Sequence, residues 1–102
     1  MSNVIVVGGG AAGMFAAISA ADEHTEVHIY EHNEKLGKKL FITGKGRCNI
    51  TNGCDDVEEL LAHVVTNARF LYSAFYTFSN QDMMQFLSDQ GLKLKTERGQ
   101  RV

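Results

Sequence analysis

The chain has 102 residues, 44% of them apolar and 22% charged, with two cysteines and a formal net charge of -2. Such values describe one modest globular domain and exclude disordered, collagen-like and disulfide-scaffold classes. The slight negative charge argues against a general nucleic-acid binder, which needs a basic face to displace counterions.

Met1 to Ala21 contains no charged side chain, so a membrane span or signal peptide has to be weighed. Three consecutive glycines interrupt that run, no basic segment precedes it and acids follow it, which excludes both. With no secretory segment, Cys48 and Cys54 read as reduced thiols, and a cytoplasmic location is expected.

Val4, Ile5, Val6 and Val7 form a β-branched run without alternation, the pattern of a parallel strand buried on both faces. After Gly8, Gly9 and Gly10, the segment Ala11 to Ala21 is alanine-rich and spaces Met14, Phe15 and Ile18 as a helix packed closely on a sheet. Asp22, Glu23 and His24 make a polar break, and Thr25 to Glu31 reads as a second strand with Val27 and Ile29 inward. The sum is one βαβ unit.

Gly8-x-Gly10-x-x-Gly13 lies between that strand and helix, the context that makes a dinucleotide fingerprint of a common string. Gly8 would permit the tight turn, Gly10 the approach of backbone N–H groups to a pyrophosphate, and Gly13 the close packing of helix on strand. Glu31, 18 residues past Gly13, ends the second strand, where a carboxylate accepts hydrogen bonds from ribose hydroxyls. The competing reading makes the glycines a plain turn and Glu31 a solvated strand end.

From Lys35 to Cys54 the chain has five basic residues, four glycines and no acid, and reads as a long organised loop. Its glycine N–H groups and Arg47 could wrap a second anionic surface. Asp-x-x-Glu among Asp55, Asp56, Glu58 and Glu59 then opens a helix carrying Leu60, Leu61, Val64 and Val65. A second helical stretch, Asn67 to Phe78, is expected to place Phe70, Leu71, Ala74, Phe75 and Phe78 on one core-facing side. Ser79-x-x-Asp82 caps a third helix, Gln81 to Gln90, stopped by Gly91. Leu92 to Glu97 alternates as a strand, and Arg98-Gly99-Gln100 reads as a hairpin turn whose returning strand is only Arg101 and Val102. A hairpin so short, beside a sheet of two clear strands, predicts unpaired edges open to self-association and an N-terminal fragment of a longer chain.

The block Thr43-Gly44-Lys45-Gly46-Arg47-Cys48-Asn49-Ile50-Thr51-Asn52, preceded by Gly37-Lys38-Lys39-Leu40, closely resembles the signature of a bacterial flavoprotein family that includes bile-acid-reductase-like NAD(P)/FAD-dependent oxidoreductases. The resemblance covers the whole chain. It implies an α/β fold with a Rossmann-like FAD-binding βαβ unit over residues 1–54 and a helical segment and the start of a β-hairpin over 55–102, leading into an insert domain. It also implies FAD, with NAD(P)H as electron donor and a small organic substrate; the charge and the interrupted apolar run predict no nucleic-acid or membrane partner. On matching positions, Gly8, Gly10, Ala11, Ala12 and Gly13 would surround the pyrophosphate, Glu31 would hold the ribose, and Lys38, Lys39, Gly46, Arg47, Cys48 and Asn49 would contact FAD from the loop.

Two other readings compete. Cys48 and Cys54 could form a flavin-linked redox dithiol, though five residues separate them where enzymes of that kind resemble a four-residue spacing. Alternatively the chain is a non-catalytic nucleotide-binding module with Phe70, Tyr72, Phe75, Tyr76 and Phe78 as a partner surface. His24, His28, His32 and His63 have no spacing that suggests a metal site, and no catalytic acid or base stands out.

Overall fold

The computed structural model describes residues 1–42 and 48–102, which form two compact units, Met1–Cys48 and Asn49–Val102. Thr43, Gly44, Lys45, Gly46 and Arg47 lie outside the described residues.

In the first unit, β1 (Ser2–Val7) and β2 (Thr25–Tyr30) pair in parallel, with Val4 opposite Val27 and Val6 opposite Ile29. Parallel neighbours need a crossover, which α1 (Ala11–Ala20) supplies. The return from α1 to β2 is closed by the Asp22 side chain, which accepts the His24 N–H at 2.8 Å. Side chains alternate across a sheet, so Val4, Val6, Val27 and Ile29 share the half-buried face, and a β-carbon on Gly13 of α1 would lie 3.4 Å from Val6.

The opposite face corrects the expectation of a strand buried on both sides. Ile5 is 61% exposed and Val7 85%, and Tyr30 on the same face is also exposed. Among the described residues α1 covers one side of the sheet. The second strand ends at Tyr30, leaving Glu31 just beyond it. A short helix, α2 (Lys38–Ile42), interrupts the expected loop; five residues make less than two turns, too few for a period to show in sequence.

In the second unit α3 (Val57–Leu61) starts at Asp56, whose side chain accepts the Glu58 N–H at 3.0 Å. It stops four residues before the expected end at Val65, which is 97% exposed. The β-branched run Val64-Val65-Thr66 disfavours helix, and Asn67 turns left-handed with φ 57°. The next stretch is not one helix but a 3-10 turn (Ala68–Leu71) followed by α4 (Tyr72–Thr77). Three residues per turn in the first part break the register assumed for the aromatic side, and Phe70 points to solvent.

Helix α5 (Asn80–Asp89) has the expected capping box, with the Asp82 N–H donating to Ser79 Oγ and the Ser79 N–H to Asp82 Oδ2. Gly91, at φ +91°, ends it: its N–H donates to Ser88 O, and the Leu92 N–H to Leu87 O. Leu92 to Thr96 forms no strand. The hairpin turn does form, with the Glu97 N–H donating to Arg101 O at 2.6 Å. Nor are Arg101 and Val102 left unpaired as expected. Gln100 and Val102 exchange backbone hydrogen bonds with Ile50, Thr51 and Gly53, and Arg101 bridges Asn52. Leu61 and Val102 are the buried apolar side chains of this unit, and Asn80 is buried with them.

Candidate functional site

The glycines between β1 and α1 carry distinct structural demands. Gly8 has φ +99°, the left-handed region that a side chain strains. Gly13 sits so close to the turn that an added β-carbon would fall 1.8 Å from the Gly8 carbonyl oxygen. Gly10 differs from both: its φ is -81°, and apart from its own chain neighbours no heavy atom of the described residues lies within 4 Å of where its β-carbon would stand. Neither conformation nor packing requires glycine there, so the open space in front of its backbone is what a side chain would fill.

Gly10 also caps α1 without a side-chain hydrogen bond, and the first turn holds no acid. A helix start has N–H groups without intrahelical partners and a partial positive charge. Ala11 and Ala12 are exposed in that turn and keep it free of bulk. The chemistry suits an anion met by main-chain donors.

Glu31 is not a solvated strand end. Its side chain is 13% exposed, Oε1 accepts the Gly9 N–H at 2.7 Å, and Oε2 accepts the Asn33 N–H at 2.8 Å. These backbone donors, Asn33 first and Gly9 second, hold its carboxyl below the usual glutamate range against the opposing effect of partial desolvation. A carboxylate has about four lone-pair positions. Two are met by these N–H groups, and His32 Nδ1 and the Asn33 side chain also approach the carboxylate, so a ligand hydroxyl would share it with them.

Gly9 is buried, and a β-carbon there would meet Leu36 and Glu31. Its N–H goes to Glu31, and its carbonyl accepts the Gly37 N–H at 2.7 Å. Gly37 itself has φ +68° and opens α2. Thus Gly9, Asn33 and Gly37 belong to the site's framework although the fingerprint names none of them. The only sequence signals were the middle glycine of a triplet and a glycine just before paired lysines.

Two clefts adjoin this framework. One of about 400 Å³ is lined by Val7, Gly8, Tyr30, Glu31 and His32, at the crest of the sheet beside the glycine turn. Another of about 500 Å³ is lined by His32, Asn33, Glu34, Lys35, Lys38 and Phe41. The anticipated residues Gly8, Gly10, Ala11, Ala12, Gly13 and Glu31 therefore share one turn and the end of its neighbouring strand, while Lys38 lines the second cleft and Lys39 follows it on α2. Gly46 and Arg47 lie outside the described residues. Cys48 is exposed at the end of the first unit, and Asn49 is exposed at the start of the second. Both cysteine thiols are free, and the Cys54 thiol lies 3.5 Å from Asp56 O. Among the described residues no helix is long and apolar enough to cross a membrane.

A parallel strand, glycine turn, uncapped helix start and fixed carboxylate at the end of the next strand are the parts of a Rossmann nucleotide site. The chain is similar to known proteins. The chain is 35% identical over 101 residues to the 3-dehydro-bile acid delta(4,6)-reductase of Clostridium scindens, covering 97% of this chain and 24% of that protein. It is 34% identical over 92 residues to the ribosomal RNA dihydrouridine synthase of Haemophilus influenzae, covering 89% and 22%. The enzyme of the same name from Escherichia coli is 32% identical over 90 residues, covering 88% and 22%. The chain thus spans about a quarter of the length of these relatives. Residues 2–102 match the HI0933-like protein Rossmann domain, and the chain belongs to that family.

Proposed function

We propose that this chain is the FAD-binding portion of a flavin-dependent oxidoreductase that reduces a small organic substrate with NAD(P)H as electron donor. The observation that carries the reading is the pairing of open space at Gly10 with a carboxylate fixed at Glu31. Backbone N–H groups at Gly10, Ala11 and Ala12 would meet the pyrophosphate, and Gly13 would keep α1 close enough to aim them. Glu31 would accept ribose hydroxyls through its remaining lone pairs. Lys38, Lys39, Gly46, Arg47, Cys48 and Asn49 would contact the cofactor further along, in keeping with the resemblance of their block to flavoproteins.

Bound FAD would supply hydride transfer, and the protein would fix its orientation. The relatives' names support a reaction class. Dihydrouridine is uridine with two hydrogens added across a carbon–carbon double bond conjugated to a ring carbonyl. A delta(4,6)-reductase acting on a 3-dehydro acid saturates a double bond conjugated to an oxo group. We therefore assign hydride addition to a carbonyl-conjugated double bond as the shared chemistry.

The full-length protein purified under native conditions should be yellow and should release FAD on denaturation, whereas the 102 residues alone should bind it weakly or not at all. A colourless, flavin-free protein that also fails reconstitution with FAD would overturn the proposal. Glu31→Ala should weaken FAD binding far more than Glu59→Ala on α3; equal effects would remove Glu31 from the ribose role.

A further inference from the structure

His32 follows Glu31 directly and is shared by both clefts of the first unit, the one that holds Glu31 and the one that holds Glu34, Lys35 and Lys38. Its side chain is 90% exposed, and Nδ1 lies 3.4 Å from Glu31 Oε2. That oxygen also accepts the Asn33 N–H at 2.8 Å, while Oε1 accepts the Gly9 N–H at 2.7 Å. The two main-chain donors are fixed by the fold. His32 is different, because a side chain so exposed has little packing to keep it in place, and its hold on Oε2 depends on the charge of the ring.

Histidine is the side chain whose ordinary charge change falls between about pH 5 and 8. A protonated ring carries a positive charge and an N–H at both nitrogens, so Nδ1 donates to Oε2 and pairs with it. A neutral ring has one N–H, and its bare nitrogen gains nothing from an anionic oxygen. Glu31 stays ionised over this interval, since its backbone donors hold its carboxyl below the ordinary glutamate range. The other charged groups about the ring act in opposite directions: Glu34 attracts a protonated ring toward the second cleft, and Lys35 and Lys38 repel it from there. Tyr30 lines the first cleft beside it. Among the described residues, Glu31 is the acid within ion-pair distance of the ring.

We propose that His32 is a proton-dependent competitor for the ribose-binding carboxylate: the protonated ring occupies Glu31 Oε2, and cofactor affinity falls as the pH is lowered. The proposal rests on the flavin reading given above. A ribose hydroxyl and the imidazolium seek the same oxygen, so binding favours the ring without its extra proton, and affinity rises with pH by linkage. Acid thereby loosens FAD while the Gly9 and Asn33 donors keep the carboxylate in place. Exposure sets the size of the effect, about fivefold in affinity at most.

The test is equilibrium titration of the full-length protein, stripped of flavin, with FAD at about pH 8 and about pH 5.5 and constant ionic strength. The wild type, His32→Ala and His28→Ala are compared. His28 is the control: it too pairs with a glutamate, Glu26 at 3.2 Å, but it lines neither cleft. The wild type and His28→Ala should lose about three- to fivefold in affinity at the lower pH. His32→Ala, which removes almost no packing, should bind equally at both. At the higher pH it should match the wild type, which separates loss of a competitor from loss of a ligand contact.

A His32→Ala protein that keeps the full pH dependence overturns the proposal, and so does a His28→Ala protein that loses it. Tighter wild-type binding in acid also overturns it, since that is the sign expected of an imidazolium that attracts the pyrophosphate. Wild-type protein that binds FAD equally at both pH values strikes the proposal alone. Full-length protein that binds no FAD at either pH strikes the flavin reading itself, and the proposal falls with it.

Discussion

The glycine turn at Gly8–Gly10 and the loop at Ile50–Cys54 are both irregular backbone held in one shape, but by different means. The turn is shaped by glycines adjacent in sequence and anchored within its own unit by the Glu31 side chain and the Gly37 N–H, 22 and 28 residues from Gly9. The loop takes its shape from residues far along the chain, Asn80, Gln81 and Gln100–Val102. Glycines close in sequence give the first its curvature, but its anchors, like all of those that shape the second, come from distant segments.

The severest challenge to the turn is Gly13→Ala, whose methyl would require the Gly8 carbonyl to move. We expect a loss of about 1–3 kcal/mol or more of stability, the scale of overpacking, together with loss of FAD binding, read by thermal denaturation and flavin titration. Glu31→Gln comes next, because it keeps the shape but weakens two hydrogen bonds to a charged acceptor. A destabilisation is expected, read as a lower denaturation midpoint in denaturant titration at neutral pH.

Acid should reproduce part of that change in the wild type. Glu31 titrates lower in the folded chain than its ordinary value of 4.5, so the unfolded chain binds the proton more readily. The stabilisation is therefore complete above about pH 4.5 and declines as pH falls through the lower folded value. The corresponding pH dependence should be reduced in Glu31→Gln.

On the other side of the comparison, Ser79→Ala should cost about 0.5–2 kcal/mol through loss of the α5 cap, and it should leave the turn's ligand affinity alone. Gly10→Ala should have the smallest effect on stability, because its φ is ordinary and its methyl meets no packed atom among the described residues. It should nevertheless weaken FAD binding at least tenfold by occupying the place of approach. If Gly10→Ala binds FAD as well as the wild type, the turn's open space is not where the pyrophosphate lies.

The same division explains what could be read in advance. β1, α1 and β2 followed from a β-branched run, alanine and a period of two, and the α5 box followed from Ser79 and Asp82. Each of those signals lies within a few residues of its effect. Glu31 was recognisable as the acid at a strand end, but its bond to Gly9 was not, since 22 residues separate them. Helix α3 was overextended because hydrophobic spacing outweighed the β-branched run that ends it. The pairing of Val102 with Thr51 was invisible because a ladder of a few residues has no repeat by which to announce itself. Asn80 and Gln81 looked like the polar start of a helix, and nothing nearby in sequence distinguishes an amide that faces water from one that grips a carbonyl.

The Gly9 peptide, tied through its N–H to Glu31 and through its carbonyl to Gly37, has a consequence for the energetics of ligand capture. Backbone that must be ordered on binding charges its conformational entropy, of order 1–2 kcal/mol per residue, against affinity. Here that ordering is completed during folding, so association need not wait for the turn to find its shape. Variants that loosen Gly37 or Glu31 should therefore reveal themselves in the association rate as well as in the equilibrium, making the turn a device for fast as well as tight capture.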